Sequence, residues 1–347
     1  MSLAGPSTAP ALGEGVRLLS HRPSVLFKLE HLGDQGADVD VSADGVLLCG
    51  PGWRDRMRDV VTGLSSMERP LLFAVRLDDP SGLPLVATTL LARERSDWFP
   101  KFLSQGVLTP VYQPLIDLAD GSVYGREALI RGRMGKVELR GAELLEAAVV
   151  HDALFSFDAR ARAAVLEAGL PLLPDGEVLF VKLDPRAVLD VEGSLRAVWD
   201  QVERCGGAAG RVGLELMCAE RHSDPELLVD LVTAHSARGA IISLDDLSVG
   251  TDGLSIMEAL KPDVVKLSRH LCKGIEASPA RRHLVGALVE VAHELGVRLA
   301  AVGIERDFEL ERIQELGVDL GQGFYLGRPN DEMLPVDRGV VARRSAV

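Results

Sequence analysis

The chain has 347 residues, 47% of them hydrophobic and 26% charged, with a formal net charge of −13. That length accommodates one large domain and a smaller one, the mixture is that of an ordinary soluble globular protein, and the acid surplus excludes a general binder of nucleic-acid polymers, which needs a basic face. Cys49, Cys205, Cys218 and Cys272 show no CxxC or CxxH spacing, so neither a zinc site nor a disulfide framework is expected, and the thiols fit a reducing cytoplasmic setting.

Residues 1–15, MSLAGPSTAPALGEG, read as a flexible lead-in rich in Gly, Pro, Ser and Ala, without the basic and apolar segments of a signal peptide. No apolar run approaches the roughly 18 residues that a membrane span requires. From 16 to 92, VLFKLEHL, DVDVSADGVLLCG, LLFAVRL and LPLVATTLL read as strands, and WRDRMRDVVTGL as an amphipathic helix. This is a small α+β domain with no legible chemistry, a place where a protein partner could bind. RERSDWFPKFLSQ, within 93–107, reads as a connecting helix with Pro100 at its start or at a kink. Trp53 and Trp98, with Phe99 and Phe102, are expected to pack the small domain onto the larger one.

Over 108–335 the pattern changes. VYQPLIDL, VYGREALIRG, EVLFVKLD, RVGLELM, AIISLDD, VVKLS, RLAAVGI and GQGFYLG are short apolar runs. Between most of them lie helical patterns such as GAELLEAAVVHDALFSFDARARAAVLEAG and LVGALVEVAHELG, which stop near a glycine. Strands alternating with helices predict a parallel sheet, and eight strands predict an α/β fold of the TIM-like (β/α)8 barrel type. No GxGxxG or GxxxxGK[ST] phosphate loop is present. Residues 336–347, closing on RRSAV, read as a frayed tail. His151, His222, His235, His270, His283 and His293 read as surface or structural residues.

Such barrels carry their chemistry at the C-terminal ends of the strands. Those ends hold Glu127, Lys182, Glu215, Asp245 and Asp246, Lys266, Val302 and Gln322. Carboxylates converging from three strands repel one another unless a cation compensates. Mg²⁺ or Mn²⁺ suits oxygen ligands of this kind, and a neighbouring lysine could orient a metal-bound water.

QPLIDLADGSVYGREALIRG (113–132), LEL (214–216), DDLSVG (245–250), KLS (266–268), AVGIE (301–305) and GQGFYLGRP (321–329) stand in an order and spacing that resembles the EAL-domain family, metal-dependent phosphodiesterases that open cyclic di-GMP to linear pGpG. The resemblance runs from about 108 to 330. It implies metal ligation by Glu127, Glu215, Asp245 and Asp246, contact of Lys266 with the attacking water, and ligand contacts from Gln113, Arg131 and Gln322, the arginine facing phosphate. Glu127, Asp246 and Lys266 would be the catalytic set. Departures accompany these matches. Lys182 stands where the family has a metal-binding asparagine, and an ammonium cannot coordinate a cation. Val302 replaces a glutamate, a role that Glu305, the segment's second glutamate, would fill only if the loop moved. DDFGTG has become DDLSVG, the second glutamate of LExTE is Cys218 and its threonine Met217, and the aspartate of KID is Ser268.

Three readings are open. A degenerate EAL module binds cyclic di-GMP as a sensor or effector with little or no hydrolysis, Lys182 replacing metal charge opposite the phosphates. Alternatively, an inactive barrel serves as a protein-interaction scaffold, or an active enzyme uses Mg²⁺ or Mn²⁺. The resemblance further implies a cytoplasmic bacterial second-messenger system and the prospect of a homodimer.

Overall fold

The computed structural model of the chain describes residues 14–30, 39–42, 45–78, 83–217, 219, 224–247 and 251–342. Cys218, His222, the loop at 248–250 and the two extreme ends therefore lie outside the described residues. The chain divides into two compact units, Met1–Lys101 with Glu146–Asp152, and Phe102–Leu145 with Ala153–Val347.

The first unit contains β1 (Gly15–Leu19), α1 (Pro23–Glu30), β2 (Val39–Ser42), β3 (Gly45–Cys49), α2 (Trp53–Gly63), β4 (Phe73–Arg76), β5 (Leu85–Val86) and α3 (Ala87–Arg95). Its sheet is antiparallel in the order β2-β3-β1-β4-β5. VLFKLE, expected as a strand, is helix α1 instead: Val25 and Leu29, one helical turn apart, bury the face they share. Only the first residues of the LVATTLL segment are a strand, and Ala87 opens α3. Trp53 lies in this unit's own core with Met57, Val16 and Leu18. After α3 the chain turns and starts α4 (Phe99–Gln105), with Pro100 in its first turn, where a missing N–H costs nothing.

The second unit continues with β6 (Val107–Asp117), β7 (Val123–Met134), β8 (Val137–Arg140), α5 (Gly141–Val150), α6 (Leu154–Gly169), β9 (Val178–Leu183), α7 (Val191–Arg204), β10 (Val212–Leu216), α8 (Pro225–Ala237), β11 (Ile241–Leu247), α9 (Thr251–Leu260), β12 (Val264–Leu267), α10 (Arg269–Cys272), α11 (Pro279–Glu294), β13 (Arg298–Val302), α12 (Asp307–Glu315), β14 (Leu320–Gln322) and α13 (Gly339–Ala342). The long helical pattern expected after β8 is two helices, α5 and α6, because Asp152 turns left-handed at φ 54°. Helix starts are capped locally: Asp190 accepts from the Gly193 N–H, Asp224 from Leu227 and Ser278 from Arg281, and Pro225 and Pro279 follow the last two.

Strands β6, β7 and β9 to β14 close into an eight-stranded barrel, and β8 extends β7 as a hairpin. The sheet is not wholly parallel as expected. β6 pairs antiparallel with both β7 and β14, because the short turn after β6 cannot carry a parallel crossover. Larger apolar surfaces fill the layer between strands and helices. A separate cluster, Leu115, Val178, Phe180, Val264, Ala300 and Leu320, plugs the barrel interior. The Phe180 ring takes space that Gly125 and Gly213 leave open by having no side chain.

This packing generates a prediction. A methyl group at position 213 would overlap the Phe180 ring, so Gly213→Ala should destabilise the chain by about 1–3 kcal/mol in thermal unfolding. Adding Phe180→Leu should restore part of the loss. A Gly213→Ala melting curve that matches the parent's would sink the packing argument.

Candidate functional site

Side chains alternate along a strand, so the residue two places beyond each plug position points into the barrel again, one layer nearer its mouth. On the parallel strands this step leads from Phe180 to Lys182, Val264 to Lys266, Ala300 to Val302 and Leu320 to Gln322. Gly125 leads likewise to Glu127, Gly213 to Glu215 and Ser243 to Asp245. β6 runs the other way, so its residue comes before the plug: Gln113 precedes Leu115. Eight strands thus deliver one side chain each to a single ring.

Charges meet in that ring. The Lys182 ammonium lies 2.9 Å from Glu127 Oε1 and 2.7 Å from Asp245 Oδ2, and also pairs with Glu215 Oε1. The Lys266 ammonium lies 2.7 Å from Glu127 Oε2 and pairs with Glu215 Oε2. Glu127 and Glu215 therefore each bridge both lysines. Gln322 Nε2 donates to Glu127 Oε2 at 2.9 Å. Lys266 and Glu215 are fully buried, whereas the Lys182 side chain keeps 28% exposure at the mouth.

Three carboxylates face two ammonium groups, a surplus of one negative charge. Burial alone would raise the Glu127 pKa, but the charges of Lys182 and Lys266 outweigh it and hold the carboxyl well below its usual range. Asp245 is likewise lowered, its burial overcome by the two lysines. Both lysines are held above their usual range by the carboxylates despite desolvation. The surplus falls on Glu215, the deepest acid, where burial and the Glu127 charge push the pKa up to about 7.

The donor set does not fit a pair of divalent ions. The ammonium groups already pair with both oxygens of Glu127, both of Glu215 and one of Asp245, and a cation entering among them would face two like charges. Among the described residues no group of His, Cys, Asp and Glu side chains is arranged to hold a metal.

Several expected residues stand apart from the ring's ion pairs. Asp246 is exposed, with its backbone at φ 55°, at the point where the β11–β12 register shifts; the irregularity turns it away from its neighbour's partners. Val302 lies opposite Gln322 in the β13–β14 register and brings no polar atom. Gln113 donates to the Gly327 carbonyl at 3.1 Å. Arg131 donates from Nη1 to its neighbour's carbonyl, Ile130 O, at 2.9 Å.

Arg131 instead borders a cleft of about 410 Å³ that also reaches Lys182 and Met217. Its walls include Ile130, Leu145, Phe157 and Val165, with Arg140 at the edge and the buried Asp158–Arg162 ion pair of α6 below. None of these α6 residues was anticipated. The available signal was a charged pair at i and i+4 on a helix face otherwise apolar, FDARARAAV.

A family profile described as the EAL domain matches residues 96–329. Cyclic di-GMP phosphodiesterase NbdA of Pseudomonas aeruginosa is 28% identical over 223 residues, covering 63% of this chain and 28% of that protein. The uncharacterized EAL-domain containing protein YkuI of Bacillus subtilis is 25% identical over 239 residues, covering 68% of this chain and 58% of its own length. This chain thus spans well under two thirds of these relatives. The structure of YkuI with c-di-GMP and calcium superposes with a TM-score of 0.61 at 22% identity, covering 72% of this chain and 61% of that one. A standalone EAL protein from Vibrio cholerae, in its c-di-GMP-bound form, gives a TM-score of 0.61 at 22% identity, covering 67% of this chain and 97% of that one. At such identities the structural likeness is one of fold.

Removing Lys182 should expose how far the site depends on it. Lys182→Met leaves one ammonium against three carboxylates and is expected to cost about 3 kcal/mol near pH 8. Without Lys182 the folded pKa values of Glu127 and Glu215 rise relative to the parent's, so over the window in which they titrate the folded variant binds more protons than the folded parent and recovers stability relative to it as pH falls. The melting-temperature deficit should therefore shrink between pH 8 and pH 5. A deficit that is constant or grows over that range counts against the charge balance described.

Proposed function

The chain belongs to the EAL domain family, and from that premise we propose that its barrel binds cyclic di-GMP as a sensor or effector without hydrolysing it. The observation that carries this reading is the pair of ammonium groups seated on the carboxylate oxygens. Phosphodiester hydrolysis with two metals needs both ions to stabilise the attacking and leaving oxygens. Here Lys182 takes the place of an asparagine ligand and Val302 that of a carboxylate. Lys266 would hold the attacking water in an active relative, but its ammonium is committed to Glu127 and Glu215.

The idea that Lys182 faces the phosphates needs refinement. The Lys182 ammonium donates to Glu215 and Asp245 and is ion-paired with Glu127 at 2.9 Å, so all three acids share its charge. Lys182 therefore neutralises the acids instead of gripping the ligand. Gripping falls to groups with donors to spare at the edge of the ring: Gln113, Gln322 and above all the Arg131 guanidinium. The apolar cleft beside Arg131 suits a planar base.

Calorimetric titration of the full chain with cyclic di-GMP, with Mn²⁺ and again with a chelator, tests the reading, with linear product followed by chromatography. Equal affinity in both conditions and no product are expected. Mn²⁺-dependent turnover would overturn the proposal in favour of an active phosphodiesterase. Absence of binding would overturn it in favour of an inactive scaffold. Separately, Lys182→Asn combined with Val302→Glu should raise Mn²⁺ affinity, because the pair removes a cation and adds a carboxylate opposite Gln322. If the double variant binds Mn²⁺ no better than the parent, the roles given to these two positions are wrong.

A further inference from the structure

Across the β7–β8 ladder Arg131 stands directly opposite Arg140. Residues so paired share one face of the sheet at close range, and like charges in that position destabilise it. A carboxylate nearby would relieve the repulsion. Among the described residues neither guanidinium has one within ion-pairing reach: Arg131 bonds only to Ile130 O, at 2.9 Å. Glu143 accepts the backbone N–H of Arg140 at 2.7 Å without pairing with its side chain. Glu138, on the same face, stands opposite Arg133.

Both arginines line the 410 Å³ cleft, as do Ile130, Leu145 and Phe157. Lys182 lines it too, but its charge is already paired with three acids. A ligand entering the cleft therefore meets apolar walls and two guanidinium forks that no carboxylate pairs, whose like charges an anion would offset. Guanidinium forks suit the paired oxygens of phosphate.

We propose that Arg131 and Arg140 together form a phosphate-binding site at the edge of this cleft, with Arg140 a ligand-contact residue that supplies cationic charge without a metal. The anion is a phosphodiester or phosphate ester joined to a planar or apolar group. Its identification as cyclic di-GMP rests on the functional reading above, whereas the phosphate site itself does not. Arg140 lies outside the motif segment 113–132 that carries Arg131.

The test uses the full chain, its Arg140→Ala and Arg140→Lys variants, and two probes, cyclic di-GMP and inorganic pyrophosphate. Arg140→Ala should weaken binding of either probe roughly ten- to hundredfold. Arg140→Lys should recover only part, because an ammonium keeps the charge but loses the fork. Without ligand, Arg140→Ala should melt at or above the parental temperature, since it removes a repulsion. A lower melting temperature accompanied by weaker binding would assign Arg140 a structural role and overturn the proposal. Equal affinity in parent and Arg140→Ala would also overturn it, while leaving the cyclic di-GMP reading intact. Arg140-dependent binding of pyrophosphate in a parent that ignores cyclic di-GMP would uphold the phosphate site and sink the nucleotide reading. A parent that binds neither probe would overturn both.

Discussion

Inside the barrel mouth the ammonium groups of Lys182 and Lys266 lie between the carboxylates of Glu127, Glu215 and Asp245. Taking such charges out of water costs several kcal/mol per ion, which only close pairing offsets. Acids brought together from three strands need a counter-ion, and here the counter-ions are part of the chain. A covalent counter-ion does not dissociate and offers no open coordination position. It also carries one charge where a divalent ion carries two. Two ammonium groups leave one of the three carboxylates unmatched, and that surplus falls on Glu215, whose pKa burial and the Glu127 charge push up to about 7. On the proposed reading, attraction for a phosphate falls to Arg131 and Arg140 in the cleft.

The same strand periodicity that buries the plug produces the ring. Phe180 fills the interior because Gly125 and Gly213 make room for it, and two residues further along each of those strands stand Lys182, Glu127 and Glu215. Tight packing below leaves the layer above little freedom to shift. The antiparallel course of β6 reverses the rule on one strand alone, so Gln113 reaches the ring from the residue before its plug position.

Much of this architecture is legible in the amino-acid sequence. Eight apolar runs, most of them separated by helical patterns, announce a barrel, and each becomes a strand in it. Local patterns mislead where one pattern suits two structures. VLFKLE is apolar enough for a strand, but the tertiary core takes Val25 and Leu29 at helical spacing. The helical pattern over α5 and α6 hides a break at Asp152, whose left-handed backbone has no strong residue signature outside glycine. β8 is too short and polar to stand out, so the Arg131–Arg140 pair is invisible along the chain.

By itself, the sequence determined the barrel and, through a period of two along each strand, which residues gather at its mouth, Lys182 and Val302 among them. Only the tertiary structure decided which oxygens each ammonium takes, that Asp246 falls outside the ion pairs, that Lys182 is shared among three acids, and that Arg140 faces Arg131. Each of these depends on register between strands and on competition for hydrogen bonds in three dimensions, and no local pattern along one strand encodes either.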